Sequence, residues 1–379
     1  MPPPTPLILD VDTGIDDSLA LLYAAASAAL GEADLLAVTC VSGNVDAIQV
    51  AENTRAVLEL VGRSDVEVAL GRTVPLVRPL ETTPETHGPR GLGYAELPPP
   101  SRPISERHAV DVILDAARSR PGEVTLVTLG PLTNLAIACL REPELPRLLG
   151  RWVLMGGAFR VPGNTTPVSE WNIHCDPEAA KVCFDAWAAA AARDTNIRRP
   201  VALGLDVTER AVFLPDHMVA LARRAGSRPD ERLAPEDGPE RRSVASNRVV
   251  RFVADALRFY MEFHARYDGF YGAHIHDPLA VAAALDPSLI RTEAVAVDVE
   301  IAGALTSAHT IADWRHLWDR PANAEVAVDV DAAAFLDRFV ERVGGLAQRV
   351  TSTEPVASTE PVASTERERV ADAPSNVAG

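Results

Sequence analysis

Short apolar runs alternate with longer segments of helical spacing through the first half of the chain. The runs Leu7–Val11, Leu35–Val41, Val66–Leu70, Val124–Thr128, Val153–Met155 and Val201–Leu205 lack polar alternation, as strands buried on both faces do. Between them, Asp16–Leu30, Asp46–Val61, Arg107–Arg118, Pro131–Arg141 and Pro177–Ala192 carry apolar residues at helical intervals. Strand and helix in strict turn predict a single α/β domain with a mostly parallel central sheet flanked by helices, Rossmann-like in plan. Open sheets of this kind bind ligands beyond the carboxyl ends of their strands. Functional residues are therefore expected directly after each strand.

Three stretches break the rhythm. Residues 71–105 are rich in Pro and Gly, and residues 225–244 are strongly polar; loops this long are either lids over a site or disordered, and both are read as lids. In residues 350–379 the hexapeptide TEPVAS occurs twice in tandem, with few large apolar side chains. Such a segment cannot bury enough surface to offset its ordering entropy. The expected organisation is a folded domain over residues 1–349 and a disordered tail over 350–379.

Composition narrows the function. Lys and Arg number 36 against 53 Asp and Glu, a formal net charge of −17, which argues against duplex nucleic acid and anionic membranes as partners. Lys181 is the only lysine. The four cysteines stand at no metal-ligand spacing and read as reduced, buried thiols. The first residues carry no charged segment followed by an apolar one, and the longest apolar run, Leu19–Leu30, is too short to cross a bilayer. A soluble cytoplasmic protein is expected.

The chemistry gathers after the first strand. ILDVDTGIDDSLALL places Asp10, Asp12, Asp16 and Asp17 within eight positions, with Gly14 free to turn and a helix opening at Asp16. One or two acids there would merely complement a helix N-terminus. Four would repel one another unless a hard cation or shared protons relieved them. Oxygen ligands without His or Cys suit Ca²⁺ or Mg²⁺.

DVDTGIDD resembles the signature of the inosine-uridine-preferring nucleoside hydrolases. Further matches follow in order: VSGN at Asn44, LGPLTN at Leu129–Asn134, MGGAF…GNTTPVSEWN at Met155–Asn172 and HDPLAVA at His276–Ala282. The resemblance spans roughly residues 5–345. It implies the nucleoside hydrolase fold, assembly as a homodimer or homotetramer, and hydrolysis of the N-glycosidic bond of ribonucleosides. It also implies a Ca²⁺ site built from Asp12, Asp17, the Leu129 carbonyl and Asp277. Asp16 and Asn172 would hold the 2′- and 3′-hydroxyls, Asn164 and Glu170 the 5′-hydroxyl. Asn44 would belong to the substrate site, and His87 would contact the base. Asp12 would deprotonate the attacking water and His276 would protonate the departing base. Trp171 and Thr13 depart from the family's more frequent Phe and Pro. The other histidines, His174 and His274 among them, read as structural; Tyr267 and Tyr271 are candidates to close over the base.

The residues by themselves admit other readings. Asp277 precedes Pro278, as Asp176 precedes Pro177 and Asp286 precedes Pro287, so it could be a helix cap. Glu170 and Asn172 stand two apart and would share one face of an extended segment. Asp10 and Asp12 could serve a haloacid-dehalogenase-type phosphatase, which normally needs a lysine to steady phosphoryl charge. A nucleoside- or ribose-binding protein without turnover would use the same pocket.

Overall fold

The computed structural model describes residues 3–229 and 231–353. Its strands are β1 (Thr5–Val11), β2 (Ala33–Cys40), β3 (Glu67–Leu70), β4 (Thr125–Thr128), β5 (Arg151–Met155), β6 (Val201–Leu203), β7 (Val212–Phe213), β8 (Ala273–His274), β9 (Ile290–Val295), β10 (Val297–Val299), β11 (Thr310–Ala312) and β12 (Ala324–Val330). Eight of them form one sheet in the order β3-β2-β1-β4-β5-β6-β12-β9. Every pairing in it is parallel except β12 with β9, which closes one edge antiparallel. β7 pairs with β8 and β10 with β11 in two small antiparallel ribbons.

The six expected strands are the first six of this sheet. The last is cut short at Leu203 because Gly204 caps a one-turn helix, Leu205–Thr208. The five expected helices are present as Ile15–Ala29, Ala47–Leu60, Ala109–Ser119, Thr133–Arg141 and Pro177–Arg193. Asp46 caps the second, accepting from the backbone N–H groups of Ile48 and Gln49 at 3.0 and 3.1 Å.

β1 lies between β2 and β4, where chain order reverses across the sheet. That reversal opens a crevice at its carboxyl end. The helix Ile15–Ala29 follows directly, buried nearly all round beneath the helices His276–Leu285 and Ala332–Thr353. Apolar contact on every side fixes where its first turn points. With Arg248–Tyr267, these late helices cover one face of the sheet; Thr133–Arg141 and Pro177–Arg193 pack on the other core.

The helix Ala332–Thr353 runs beyond residue 349, so the expected tail begins as helix; residues 354–379 lie outside the described residues. The four cysteines are free and buried. Among the described residues, no helix is long and apolar enough to cross a membrane.

Candidate active site

A cleft of about 510 Å³ opens above the carboxyl ends of β1, β4 and β5. Asp16, Asp17 and Asp277 present carboxylate oxygens within 4.8 Å of one another on its floor, all buried. Asp16 and Asp17 come from the first turn of Ile15–Ala29, Asp277 from the first turn of His276–Leu285. Unlike Asp176 and Asp286, which cap the elements that follow them, Asp277 lies inside its helix and is not a cap.

Asp12 follows the end of β1 beside this group. Its Oδ2 accepts from Asn44 N–H at 2.8 Å, its own N–H donates to Asp17 Oδ1 at 3.2 Å, and its Oδ1 is buried without a hydrogen-bond partner. A Cβ at Gly43 would collide with Asp12 Oδ2, and one at Gly130 would lie 2.7 Å from Oδ1. Glycine at both places is what lets the β2 and β4 loops close around this carboxylate.

Burial pushes Asp12, Asp16 and Asp277 well above the ordinary carboxylate range, with mutual repulsion adding to each. Asp17 is raised less, to about 6, because the backbone N–H groups of Gly14 and Asp12 stabilise its charge. A buried oxygen without a partner and four carboxylates with no neutralising cation are what a hard dication would relieve. The donor set fits one.

The expected grouping of Asp10 with this cluster does not hold: Asp10 Oδ1 accepts from Thr39 Oγ1 at 2.6 Å and from Asn134 Nδ2 at 2.9 Å. Asp10 is still paired on both sides within β1, whereas Asp12 lies past the strand, so the two-residue period does not carry from one to the other. The fourth carboxylate is Asp277, more than 250 positions away.

Asn172 and Glu170 reach the cleft by a different route from the expected extended segment. Glu170 caps the short helix Trp171–Cys175, and its two oxygens accept from the N–H groups of Asn172, Ile173 and Gly157 at 2.8, 3.1 and 3.0 Å. Asn172 donates its amide to the Leu129 carbonyl at 2.6 Å. Asn164 lines the cleft and accepts from Trp171 N–H at 3.0 Å. Asn44 lines it as well while donating its amide to Asp17 Oδ2 at 3.2 Å.

Histidines form the opposite wall. His276 is buried, its Nδ1 2.8 Å from Thr208 Oγ1, and burial, reinforced by His274, His264 and His87, holds it well below the usual imidazole range. His87, from the helix Pro84–His87, accepts from Ile15 N–H at 3.1 Å through Nδ1, and burial lowers it to about 3. The first expected lid thus contributes to the cleft; among the described residues, none of 225–244 lines it. Arg242 of that segment instead stacks over Tyr94, as does Arg258 from the helix Arg248–Tyr267.

Of His174 and His274, both read as structural, His274 lines the cleft and His174 does not; Tyr267 lines it, and Tyr271 does not. The larger omission is the helix Arg248–Tyr267. Its Tyr260, Phe263, His264 and Tyr267 stand at i, i+3, i+4 and i+7 and all face the cleft. That spacing is visible in the sequence as an aromatic stripe, the one signal that could have found them. Lys181 pairs with Asp298 at 2.7 Å and does not line the cleft, which leaves the phosphatase reading without its cation.

Comparison with known proteins agrees with this geometry. The model of the family described as inosine-uridine preferring nucleoside hydrolase matches residues 7–337. A pyrimidine-specific ribonucleoside hydrolase of Citrobacter koseri is 36% identical over 89% of this chain and 97% of its own length. An inosine-uridine preferring nucleoside hydrolase of Leishmania major is 35% identical, covering 90% of this chain and 99% of its own. Among solved structures, a purine-preferring ribonucleoside hydrolase from Gardnerella vaginalis superposes with a TM-score of 0.78 at 32% identity, over 91% of this chain and all of its own. The chain belongs to the inosine-uridine preferring nucleoside hydrolase family and, with it, to the metal-dependent N-glycosidases that hydrolyse ribonucleosides to ribose and free base.

Proposed function

We propose that this cleft hydrolyses ribonucleosides with Ca²⁺ held by Asp12, Asp17, Asp277 and the Leu129 carbonyl, with Asp12 as general base and His276 as leaving-group acid. The observation that carries the reading is the convergence of Asp12, Asp17 and Asp277, from two distant parts of the chain, beside a buried imidazole. The nearness of Asp16 to Asp17 and Asp277 supports its place at the sugar diol on the same cation. When bound, the dication would polarise the diol and a water and cancel the repulsion among the carboxylates.

Asp12 Oδ1, buried and unpartnered, is the basic atom free to take a proton from the attacking water. As the C1′–N bond breaks, positive charge spreads over the ribose ring, and the carboxylate floor faces it. Thr208 Oγ1 engages His276 Nδ1, which leaves Nε2 for the departing base; the protonated ring would give that base its Nε2 proton and return to the neutral form. Asn172 and Asp16 orient the 2′- and 3′-hydroxyls, Asn164 and Glu170 the 5′-hydroxyl. Asn44 orients Asp12 and Asp17 beneath them, and His87 flanks the base.

The test is release of free ribose from inosine and uridine by chelated protein, with Ca²⁺ and then Mg²⁺ restored. Turnover that survives chelation would refute the cation's role. Tight nucleoside binding with no ribose released would favour the binding-protein reading. The same proposal includes assembly as a homodimer or homotetramer, which sedimentation equilibrium measures, and a cytoplasmic place in nucleoside salvage.

A further inference from the structure

The helix Arg248–Tyr267 carries cleft residues only from Tyr260 onward. Its first two turns line a second groove of about 550 Å³, walled also by the helix Ala47–Leu60 and by residues 94–98. An extension of about 350 Å³ continues past Pro89, Arg90 and Leu92. Leu60, Leu97, Pro98, Phe252 and the ring of Tyr94 give the groove an apolar surface, and Arg242, Arg248 and Arg251 line it as well.

The charges of the groove are unevenly answered. Arg242 Nη1 donates to the carbonyls of Pro239 and Arg241 at 2.7 and 2.9 Å, and Arg251 Nη1 to those of Ala245 and Ser246 at 2.7 and 3.2 Å. Carbonyl partners orient a guanidinium without neutralising it. Among the described residues, neither arginine forms an ion pair. Of the three acids in the groove, two already accept from backbone. Glu59 takes the N–H groups of Ser101 and Arg102 at 2.9 Å each, and Asp255 that of Ser243 at 2.8 Å; Glu96 is the third.

The end of the chain supplies an occupant. Asn247 donates its side-chain amide to the Ala347 carbonyl at 2.8 Å, which brings the last turns of the helix Ala332–Thr353 to the neighbour of Arg248. Residues 354–379 follow from there, and the two TEPVAS repeats occupy 353–364. Extended, those repeats reach about 40 Å, ample to follow the groove. Residues 354–366 hold Glu354, Glu360 and Glu366 and neither Arg nor Lys. A left-handed extended chain turns every three residues, so a six-residue repeat returns Glu354 and Glu360 to one face, and Pro355 and Pro361 to another, about 19 Å apart. Segments of this kind dock on aromatic-lined grooves, since proline has little freedom left to lose. Tyr94 is held as such a platform: the guanidinium carbons of Arg242 and Arg258 lie 5.0 and 4.7 Å from its ring centroid, and Phe259 meets it edge-on at 5.0 Å.

We propose that residues 354–366 dock in this groove of their own chain, prolines toward Tyr94 and Phe252, glutamates toward Arg242 and Arg251. A preformed surface gives the tail the burial that its own composition cannot provide. Docked there, it braces the helix Arg248–Tyr267 and the segment that follows His87, both of which wall the cleft. Occupancy of the groove does not depend on what the cleft hydrolyses.

The test compares the full chain, labelled with ¹⁵N, with a synthetic peptide of residues 353–366 by NMR. A tail that tumbles freely gives sharp peaks at the positions of the peptide even on a large protein. In wild type the peaks of Val356, Ala357, Val362 and Ala363 are expected to be lost from those positions. The double variant Arg242→Glu, Arg251→Glu should return them. So should the triple variant Glu354→Arg, Glu360→Arg, Glu366→Arg, which leaves the folded domain untouched and carries the test should the arginine variant fail to fold. Combining both sets should remove the peaks again, a rescue that a merely structural role for the arginines would not produce. Wild-type tail peaks that coincide with the peptide overturn the proposal, as does a loss that persists in the triple variant. A loss that appears only as protein concentration rises assigns the groove to the tail of a second copy and overturns docking within one chain.

Discussion

Asn172 donates its side-chain amide to the Leu129 carbonyl at 2.6 Å, so the group expected to grip the sugar diol and the group expected to ligate the cation are each other's partner. Asn172 also reaches the Met155 carbonyl at 3.2 Å, which ties the ends of β4 and β5 together over the cleft floor. The amide is thus pre-oriented before any substrate arrives.

From this relationship, Asn172→Ala should cost substrate far more than cation. We expect kcat/KM for inosine to fall by about a hundredfold, the scale of one or two lost hydrogen bonds to a positioned diol. Calcium affinity, measured by calorimetry, should change by less than about tenfold, because the Leu129 carbonyl remains. Equal losses in both would show that Asn172 acts only by holding the Leu129 backbone.

Replacing Asp12 should separate activity from stability. Asp12→Asn removes the proposed base, and turnover should fall by about 10²–10⁴. In chelated protein the same change removes a buried charge that repels Asp17 and Asp16, so stability should rise by on the order of 1–2 kcal/mol. Denaturant unfolding of the chelated variant decides the matter. A lower midpoint than wild type would contradict the repulsion read from the cluster.

The carboxylates also set a pH dependence with a definite sign. Asp17 rises from an ordinary 3.8 to about 6 in the folded protein, so its contribution is present below about pH 4 and lost as pH climbs through 6. Asp12, Asp16 and Asp277 act in the same direction. Cation-free protein should therefore weaken from pH 4 to above pH 6. Added Ca²⁺, which must displace those protons, should raise Tm more at pH 8 than at pH 5. A calcium-induced shift that is larger at pH 5 would count against the assignment.

Thr208 offers a probe of the leaving-group acid that leaves His276 intact. Thr208→Val removes the hydroxyl 2.8 Å from His276 Nδ1 and with it the constraint on the ring's tautomer. Hydrolysis of inosine should drop by about tenfold, while p-nitrophenyl riboside, whose leaving group needs no proton, should be nearly unaffected. Parallel loss on both substrates would place Thr208 in folding rather than in catalysis.

His87 should remain uncharged throughout the working range. Its ring is lowered to about 3 by burial, whereas the unfolded chain's imidazole titrates near 6.5. Protonation below pH 6.5 therefore favours unfolding, and the residue's contribution to stability is present above 6.5 and lost as pH falls toward 3. The imidazole proton resonances of His87 should not shift between pH 8 and pH 5, and His87→Gln should flatten the acid limb of the stability curve.

Local features of the chain determined the sheet's first six strands, their helices and the motif at the end of β1, because buried strands and amphipathic helices declare themselves by period and length. Named through the resemblance that the motifs carry, Asn172, His276 and Asp277 line one cleft, with Asp12 and Asp17 tied to it through Asn44; the local reading alone left Asp277 as a possible cap. It misjudged Asp10, because the alternation of a strand stops where its pairing stops. It also left out Tyr260 and His264, because a stripe at helical spacing looks the same whether it faces a core or a cleft. Only the tertiary structure could bring Asp277 to Asp16 and Asp17, lend Asn172 to Leu129, and turn a helix more than two hundred residues downstream into the wall above β1. These are contacts between distant segments, fixed by how the helices pack on the sheet, and no period along the chain encodes them.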